Sequence, residues 1–387
     1  MAKFRFFPQK REDNTDLKNP KEWLLNAWGV GTESGTKVSH ESSLKFTAVL
    51  AAVSLRSSLL ASFPKQVFKV TPNGKNQQRD ALWKLLAYKP NAWMNAYTFW
   101  ELNNTYLDLW GNAYNVITRS GSRVVSLNPV HPAHVKPKVR PDGLVYEIRN
   151  TDSLLDGDYL PGDILHFKDF STDGLTGKSR ITLAKESIGL GLAAEKFGSS
   201  FFGKGGHSSA VLETDQQLGD EAYNRFAERW KKNVDHGTPL LEHGIKYKGI
   251  TIPPENAQFL ATREFQVQDV ARIFNVPPPL LFDLSRATFS NIEHQDIQFV
   301  KYGLRPTVER YEHEIELKLL ADSQLGDVEV RFNLDAMLRG DMNARANFYS
   351  SAIANRWLSP NEVRKMENLN PYDGGDVYEN PNTTSNE

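Results

Sequence analysis

Residues 275–296 read Asn-Val-Pro-Pro-Pro-Leu-Leu-Phe-Asp-Leu-Ser-Arg-Ala-Thr-Phe-Ser-Asn-Ile-Glu-His-Gln-Asp. Three consecutive prolines stop the helix before them, because proline has no N–H to donate and its ring clashes with the preceding turn. A polar loop follows. Ser290-Asn-Ile-Glu293 then has the serine–glutamate spacing of a capping box, which restarts a helix. A connection pinned at both ends is predicted to be held in one place.

Outward from this loop, helix is expected over 255–274 on one side and from Ser290 to Leu320 on the other. In the second helix Ile297, Val300, Leu304, Val308, Tyr311, Ile315 and Leu319 recur at three- and four-residue steps, predicting one buried stripe. Gly303 and Pro306 inside it predict a kink. Towards the N-terminus, helices are expected at 44–62, 79–88 and 97–110, with Thr98 as a cap of the third. Between 112 and 170 short alternating runs (114–118, 124–127, 135–139, 145–148, 164–167) are separated by turn dipeptides, predicting an antiparallel sheet. One long helix is expected over 181–202, followed by an insert with a strand at 210–212, a helix at 220–233 and strand again over 245–252. A strand at 328–332 precedes a terminal helix pair, 342–357 and 359–368, the second with Ser359-Pro-Asn-Glu362 as capping box. The fold class is α+β.

Composition narrows the function. The 387 residues carry 40% hydrophobic and 24% charged side chains, as in ordinary globular proteins. There is no cysteine, which excludes disulfides, thiolate metal sites and cysteine nucleophiles and fits a reducing cytoplasm. The most apolar stretch, 46–63, is interrupted by Arg56 and several serines, so no membrane association is expected. A formal net charge of −1 is unlike a protein that grips DNA through a basic stripe.

Chemical motifs are few. Gly177-Lys178-Ser179 lacks the earlier glycine of a phosphate-binding loop, since that position is Thr172; a structural turn is expected. Gly203-Lys-Gly-Gly206 follows a helix and reads as its C-cap. His294 and Asp296 diverge by about 200° on a helix, so with Glu293 and His313 they make no metal site. His131, His134, His166, Asp169 and Asp173 could be combined into a hydrolytic centre, but nothing supplies a nucleophile. No catalytic centre, metal or cofactor is expected.

A series of residues carries a family resemblance: Phe99-Trp100, Gly111-Asn-Ala-Tyr114, Leu127-Asn-Pro-Val130, Ile164-Leu-His-Phe167, Asp173-Gly-Leu-Thr-Gly177, Phe201-Phe-Gly-Lys-Gly-Gly206, and Phe274-Asn-Val-Pro-Pro through Ala287-Thr-Phe-Ser-Asn-Ile-Glu293. In order and spacing, from about 40 to 370, the chain resembles the portal proteins of tailed bacteriophages, in the compact form of lambdoid-type long-tailed phages. The resemblance implies a homo-dodecameric ring at the capsid portal vertex of the virion, assembled in the host cytoplasm. It also implies double-stranded DNA passing non-specifically through the channel during packaging and ejection. Its implied partners are the large terminase subunit, the major capsid protein and head-completion or adaptor proteins.

The implied layout is a flexible arm (1–39), wing (40–180), stem helix (181–205), clip (206–254), second stem helix (255–282), tunnel loop (283–296), long kinked helix with the rest of the wing (297–340), crown (341–370) and acidic tail (371–387). The expected channel residues are Asp283, Ser285, Arg286, Thr288, Phe289, Ser290, Glu293 and Asp296. Arg225, Arg229, Lys231 and Lys232 are the expected clip face for terminase or an adaptor. Near-neutral charge suits a conduit, because basic walls would hold phosphates. Two other readings are a phage nuclease or packaging ATPase, and a non-ring minor capsid or adaptor protein. The incomplete phosphate loop and the missing acidic cluster speak against the first, and the order helix–insert–helix–loop–long helix against the second.

Overall fold

The computed structural model describes residues 30–72, 74–151, 155–203, 210–213, 219–221, 223–225, 228, 246–249, 256–283, 295–334, 342–367 and 369–378. The flexible arm expected over 1–39 is corrected for residues 30–39. There β1 (Val30–Gly31) pairs antiparallel with β2 (Lys37–Val38), Glu33 donates its N–H to Glu186 Oε2 at 3.0 Å, and Val38 is buried. Residues 1–29 lie outside the described part.

Ser39 caps the short helix α1 (His40–Ser43), which leads into α2 (Thr47–Ser62). Helix α2 ends where Phe63 turns extended ahead of Pro64, as a residue before proline must. The strands β3 (Lys65–Thr71) and β4 (Gly74–Gln78) follow, then α3 (Ala81–Ala87) and α4 (Ala96–Trp110). The expected Thr98 cap of α4 is corrected: Asn95 is the cap, and Thr98 donates its N–H to the Asn95 side chain at 2.9 Å. An N-cap side chain accepts from an N–H two or three residues further on, so the helix starts earlier than the threonine.

Left-handed Gly111 ends α4 and the chain enters β5 (Asn112–Ser120) directly. Then come β6 (Arg123–Val130), β7 (Val135–Arg140), β8 (Gly143–Ile148), β9 (Gly157–Tyr159) and β10 (Ile164–Lys168). The single sheet expected over 112–170 is two three-stranded sheets, ordered β10-β5-β6 and β7-β8-β9, all antiparallel. Strand β5 explains the division. Its Ala113 and Ile117 join the main core, while Tyr114 and Val116 join a second cluster with Val135, Tyr146 and Ile148. A strand buried on both faces must be covered twice, and β7–β8 cover the second face.

The long helix expected over 181–202 is broken at Ala184 into α5 (Arg180–Leu183) and α6 (Lys185–Gly203). The break leaves each piece its own docking: Arg180 of α5 reaches Asp169, while Gly189 and Gly191 of α6 sit too close to Thr32 and Phe46 for any Cβ. Strands β11 (Ala210–Glu213) and β12 (Lys246–Gly249) pair antiparallel within the insert. Helix α7 (Asn256–Phe274) returns antiparallel to α6, tied by Ser187–Asp269 at 3.2 Å and Arg263–Glu195 at 3.2 Å.

The chain then runs through a wide π turn (Phe299–Leu304) into α8 (Arg305–Leu319). The expected kink therefore takes the form of one inserted residue, with Arg305 N–H bonding back five residues to Val300 O. Pro306 offers no N–H to Tyr302 O, which favours the wider turn. The extra residue also corrects the stripe. Val300, Leu304, Val308, Tyr311 and Ile315 are buried, but Ile297 is turned out to 47% exposure and Phe299 is buried instead.

Strand β13 (Val328–Phe332) completes a third sheet, β13-β3-β4. The terminal pair, α9 (Met342–Ala354) and α10 (Pro360–Met366), has the expected capping box between Ser359 and Glu362. The acidic tail expected over 371–387 is exposed in its described part, 371–378, apart from Gly375, and is tied to α10. Asn361 exchanges hydrogen bonds with the Tyr372 backbone, and Tyr378 Oη donates to Glu362 Oε1. Among the described residues no helix is long and apolar enough to cross a membrane.

The free edge of β13 is closed by α8. Val330 and Phe332 point their N–H groups away from β3, to Glu316 Oε1 (2.8 Å) and Glu312 Oε1 (2.6 Å). Carboxylates on an edge strand block pairing with another chain. Burial raises the Glu312 carboxyl from its ordinary 4.5 to about 7, against the pull of the Phe332 N–H and Arg331. Between those values the folded chain holds a proton that the unfolded chain has released, so stability falls as pH rises from 4.5 to 7. Urea melts of Glu312→Gln should show this part of the pH slope flattened. A variant with the wild-type slope would mean that Glu312 does not carry it.

Candidate functional site

The described residues on either side of 284–294 meet at one place beside the main core. Helix α7 stops at Phe274, Asn275 takes a left-handed φ of 52°, and Val276 N–H bonds back to Ala271 O at 2.9 Å. The prolines then form a 3₁₀ turn, Pro278–Leu281, with Leu281 buried and Phe282 left-handed at φ 63°. Asp283 N–H closes the turn on Pro278 O at 3.1 Å. On the returning side Gly303 lies against Asn275: a Cβ there would sit 2.6 Å from Asn275 O.

Two arginines hold these ends together. Arg56, fully buried on α2, donates from one nitrogen to Phe274 O (2.9 Å) and Gly303 O (3.0 Å), and from another to Thr307 Oγ1 (3.3 Å). Its Nε faces both oxygens of Asp108, equally buried on α4, at 3.0 and 3.1 Å. Arg180 donates to Ile273 O (2.9 Å) and to Asp169 Oδ2 (2.6 Å), and Arg310 reaches Asp169 Oδ1 at 2.6 Å. The last carbonyls of α7 thus end on two guanidinium groups, which also favour the negative end of the helix dipole. Burial pushes the Asp169 carboxyl up, but Arg180 and then Arg310 outweigh it and hold it below the usual carboxylate range.

Between the two ends lies an open cavity of about 530 Å³, walled by Val276, Pro277, Pro279, Gln298, Phe299 and Tyr302. Such an arrangement can hold a loop firmly and present a concave, mainly apolar surface beside it. Among the described residues that line it there is no nucleophile–base pair.

Of the expected channel residues, Asp283 lines this cavity and Asp296 is exposed on the returning helix. Ser285, Arg286, Thr288, Phe289, Ser290 and Glu293 lie outside the described residues, as does the capping box at 290–293. On the insert, Arg225 is exposed, with its Nε donating to Glu221 O at 3.3 Å. Arg229, Lys231 and Lys232 lie outside the described residues.

The candidate hydrolytic set is dispersed. His166 is buried, stacked on Tyr114, with Nε2 on Asn112 Oδ1 (2.9 Å) and Nδ1 on Tyr146 Oη (3.1 Å); burial holds it neutral, well below its ordinary pKa. Asp173 accepts the N–H groups of Leu175 and Thr176 in a turn. His131 packs on Trp110 and Tyr106. His313 is exposed beside Glu309, 3.8 Å away. The structural turn expected at Gly177-Lys178-Ser179 lies just before it: Gly177 bridges antiparallel to Ser171 and Ser179 is extended. Gly177 exchanges hydrogen bonds with the Asn112 side chain, and Ser179 caps α5.

Arg56, Asp108 and Arg180 were not legible as a site. The only hint was an arginine inside an alanine- and leucine-rich helix, and nothing local names its partners.

The sequence profile of the family described as Phage portal protein matches residues 47–368. The portal protein of Enterobacteria phage HK97 is 33% identical over 394 residues, covering 94% of this chain and 92% of that protein. Among solved structures, an HK97 family phage portal protein from Corynebacterium diphtheriae superposes with a TM-score of 0.59 at 15% identity, covering 78% of this chain and 96% of that one. A chain from the neck of a native gene transfer agent particle, computed with C12 symmetry, gives 0.58 at 19% identity over 90% of this chain and 98% of its own.

Proposed function

The chain belongs to the phage portal protein family, and on that footing we propose that it closes into a ring at one capsid vertex. The ring is the channel for DNA packaging and ejection and the platform for head–tail joining. The observation that carries this reading is the family match over nearly the whole chain, with 33% identity to a portal protein across 94% of it. The ring is a dodecamer, by likeness to the neck chain computed with C12 symmetry. It sits in the virion after assembly in the host cytoplasm. It is a structural conduit; a terminase ATPase supplies the motion, and capsid and adaptor proteins bind its ends.

In this reading the antiparallel pair α6–α7 belongs to the stem, the insert between them is the clip, and the sheets with α2, α4 and α8 form the wing. The loop 283–296 projects into the channel. There Ser285, Arg286, Thr288 and Ser290 meet passing DNA, Phe289 narrows the aperture, and Asp283, Glu293 and Asp296 keep the local field repulsive so that phosphates do not lodge. Arg225, Arg229, Lys231 and Lys232 face terminase or an adaptor. The arginine clamps support this reading, because a constriction on a moving polymer needs anchored ends.

Light scattering and electron microscopy of the purified full chain test the proposal. Annular particles of about twelve subunits with a central hole are expected. Monomers alone at high protein concentration would overturn it.

A further inference from the structure

Phe282 is the anomaly of the described surface. It is 89% exposed, the highest value among the large exposed hydrophobic side chains, and it sits at φ 63°, a left-handed backbone that bulky residues avoid. Exposure of an aromatic ring and left-handed strain are each unfavourable in the isolated chain. The left-handed backbone is held by the turn: Phe282 N–H bonds to Pro279 O at 3.0 Å, and Asp283 N–H to Pro278 O at 3.1 Å. The ring thus stands exposed on a backbone fixed by hydrogen bonds.

The cavity beside it is its converse. It is about 530 Å³, room for more than one aromatic side chain, with proline, Phe299 and Tyr302 walls. Tyr302 is itself 64% exposed. Knob and hole adjoin the same 3₁₀ turn, since Pro279 and Asp283 line the cavity and flank Phe282. In a cyclic assembly each copy offers one surface to the neighbour on its left and a different one to the neighbour on its right. A knob and a hole borne on one turn supply both halves of such a repeating contact from a single chain.

We infer that Phe282 of one subunit seats in the cavity between Pro277–Pro279 and Phe299–Tyr302 of the next. The inference rests on the ring reading above. The contact is an aromatic wedge against proline and aromatic walls, the type of anchor that dominates interfaces. It also couples neighbouring loops, because the wedge precedes the loop of one subunit and the hole flanks the loop of the next.

The chain has no cysteine, so disulfide trapping has no background. Phe282→Cys and Gln298→Cys, the latter on the cavity wall, are combined in one chain, assembled and mildly oxidised. Denaturing gels should show a ladder of linked subunits, and mixed single variants should give dimers only. Phe282→Gly keeps the left-handed backbone at no strain and deletes the ring; it should fold but shift the ring–monomer balance towards monomer by at least tenfold. Well-formed annuli with no ladder, a bond confined to one chain, or Phe282→Cys pairing with itself would each overturn the wedge while leaving the ring reading intact. Absence of annuli from the wild-type chain would remove both.

Discussion

Replacing Arg56 by Ala is expected to lower the unfolding free energy by about 3–5 kcal/mol, the range for breaking a buried ion pair from one side. Four groups lose their partner at once. Asp108 stays wholly buried, with its neighbour Asn104 Nδ2 at 3.0 Å and only a distant guanidinium, Arg180 Nε at 3.9 Å. Phe274 O and Gly303 O lose their donor where α7 and the π turn meet, and Thr307 Oγ1 loses a bond. Arg56→Lys should recover little, because a single ammonium cannot reach the carboxylate and both carbonyls in a fork. Arg56→Leu combined with Asp108→Leu should recover more than Lys does, since no uncompensated charge remains. Urea unfolding of the monomer, below the concentration at which it associates, measures this without the mass-action term of assembly. A loss under about 1 kcal/mol for Arg56→Ala would show that the pair is not holding the two ends.

Gly111→Ala should rank close behind, at about 3 kcal/mol. Roughly 1–2 come from placing a Cβ on a left-handed backbone and roughly 1–3 from overpacking. Gly111 has φ 72°, and an added Cβ would lie 2.5 Å from the backbone of Lys178. The reciprocal change, Gly177→Ala, puts a Cβ 1.9 Å from Gly111 O, again against backbone that cannot rotate away. Neither side can yield without cost. Gly111 O accepts the Asp169 N–H at 2.9 Å, and the Asn112 amide both donates to and accepts from Gly177. Gly174→Ala is the control: it has the same φ of 72° but nothing within 4 Å, so only the backbone strain of about 1–2 kcal/mol should appear. Equal losses at Gly111 and Gly174 in thermal or urea melts would show that the close approach contributes nothing.

These two clusters mark the division between what could and could not be read in advance. The stop at Pro277–Pro279, the turn dipeptides between the strands and the Ser359–Glu362 capping box are local. Each is decided by donors and acceptors within a few residues. The stop and the capping box are found where the sequence puts them, while of the turn dipeptides Asn128-Pro129 instead continues β6, paired with Val116 and Asn115. The errors are also local in scale but tertiary in cause. Ile297 fits a perfect helical stripe, yet a π turn, set by Pro306 and by the Arg56 bond to Gly303 O, moves the stripe by one residue. Residues 112–170 alternate as one sheet would, yet both faces of β5 need cover, and only a second sheet provides it. Gly177-Lys178-Ser179 was expected as a turn, but Gly177 bridges to Ser171, and the reason it must be glycine is Gly111 O at the end of α4, 1.9 Å from where a Cβ would sit.

By itself the sequence determined the α+β class, the approximate places of the helices at 44–62, 97–110, 255–274 and 342–357, and the membership of the family, because capping, proline geometry and ordered motifs act over short spans. It did not show β3, β4 or β9, the Asn95 cap or the break at Ala184. Tertiary structure alone decided how the loop at 275–296 is anchored. Arg56 lies 52 residues from Asp108, 218 from Phe274 and 247 from Gly303. No periodicity records such pairings, since they arise only when packing removes water and leaves each buried charge and carbonyl with one available partner.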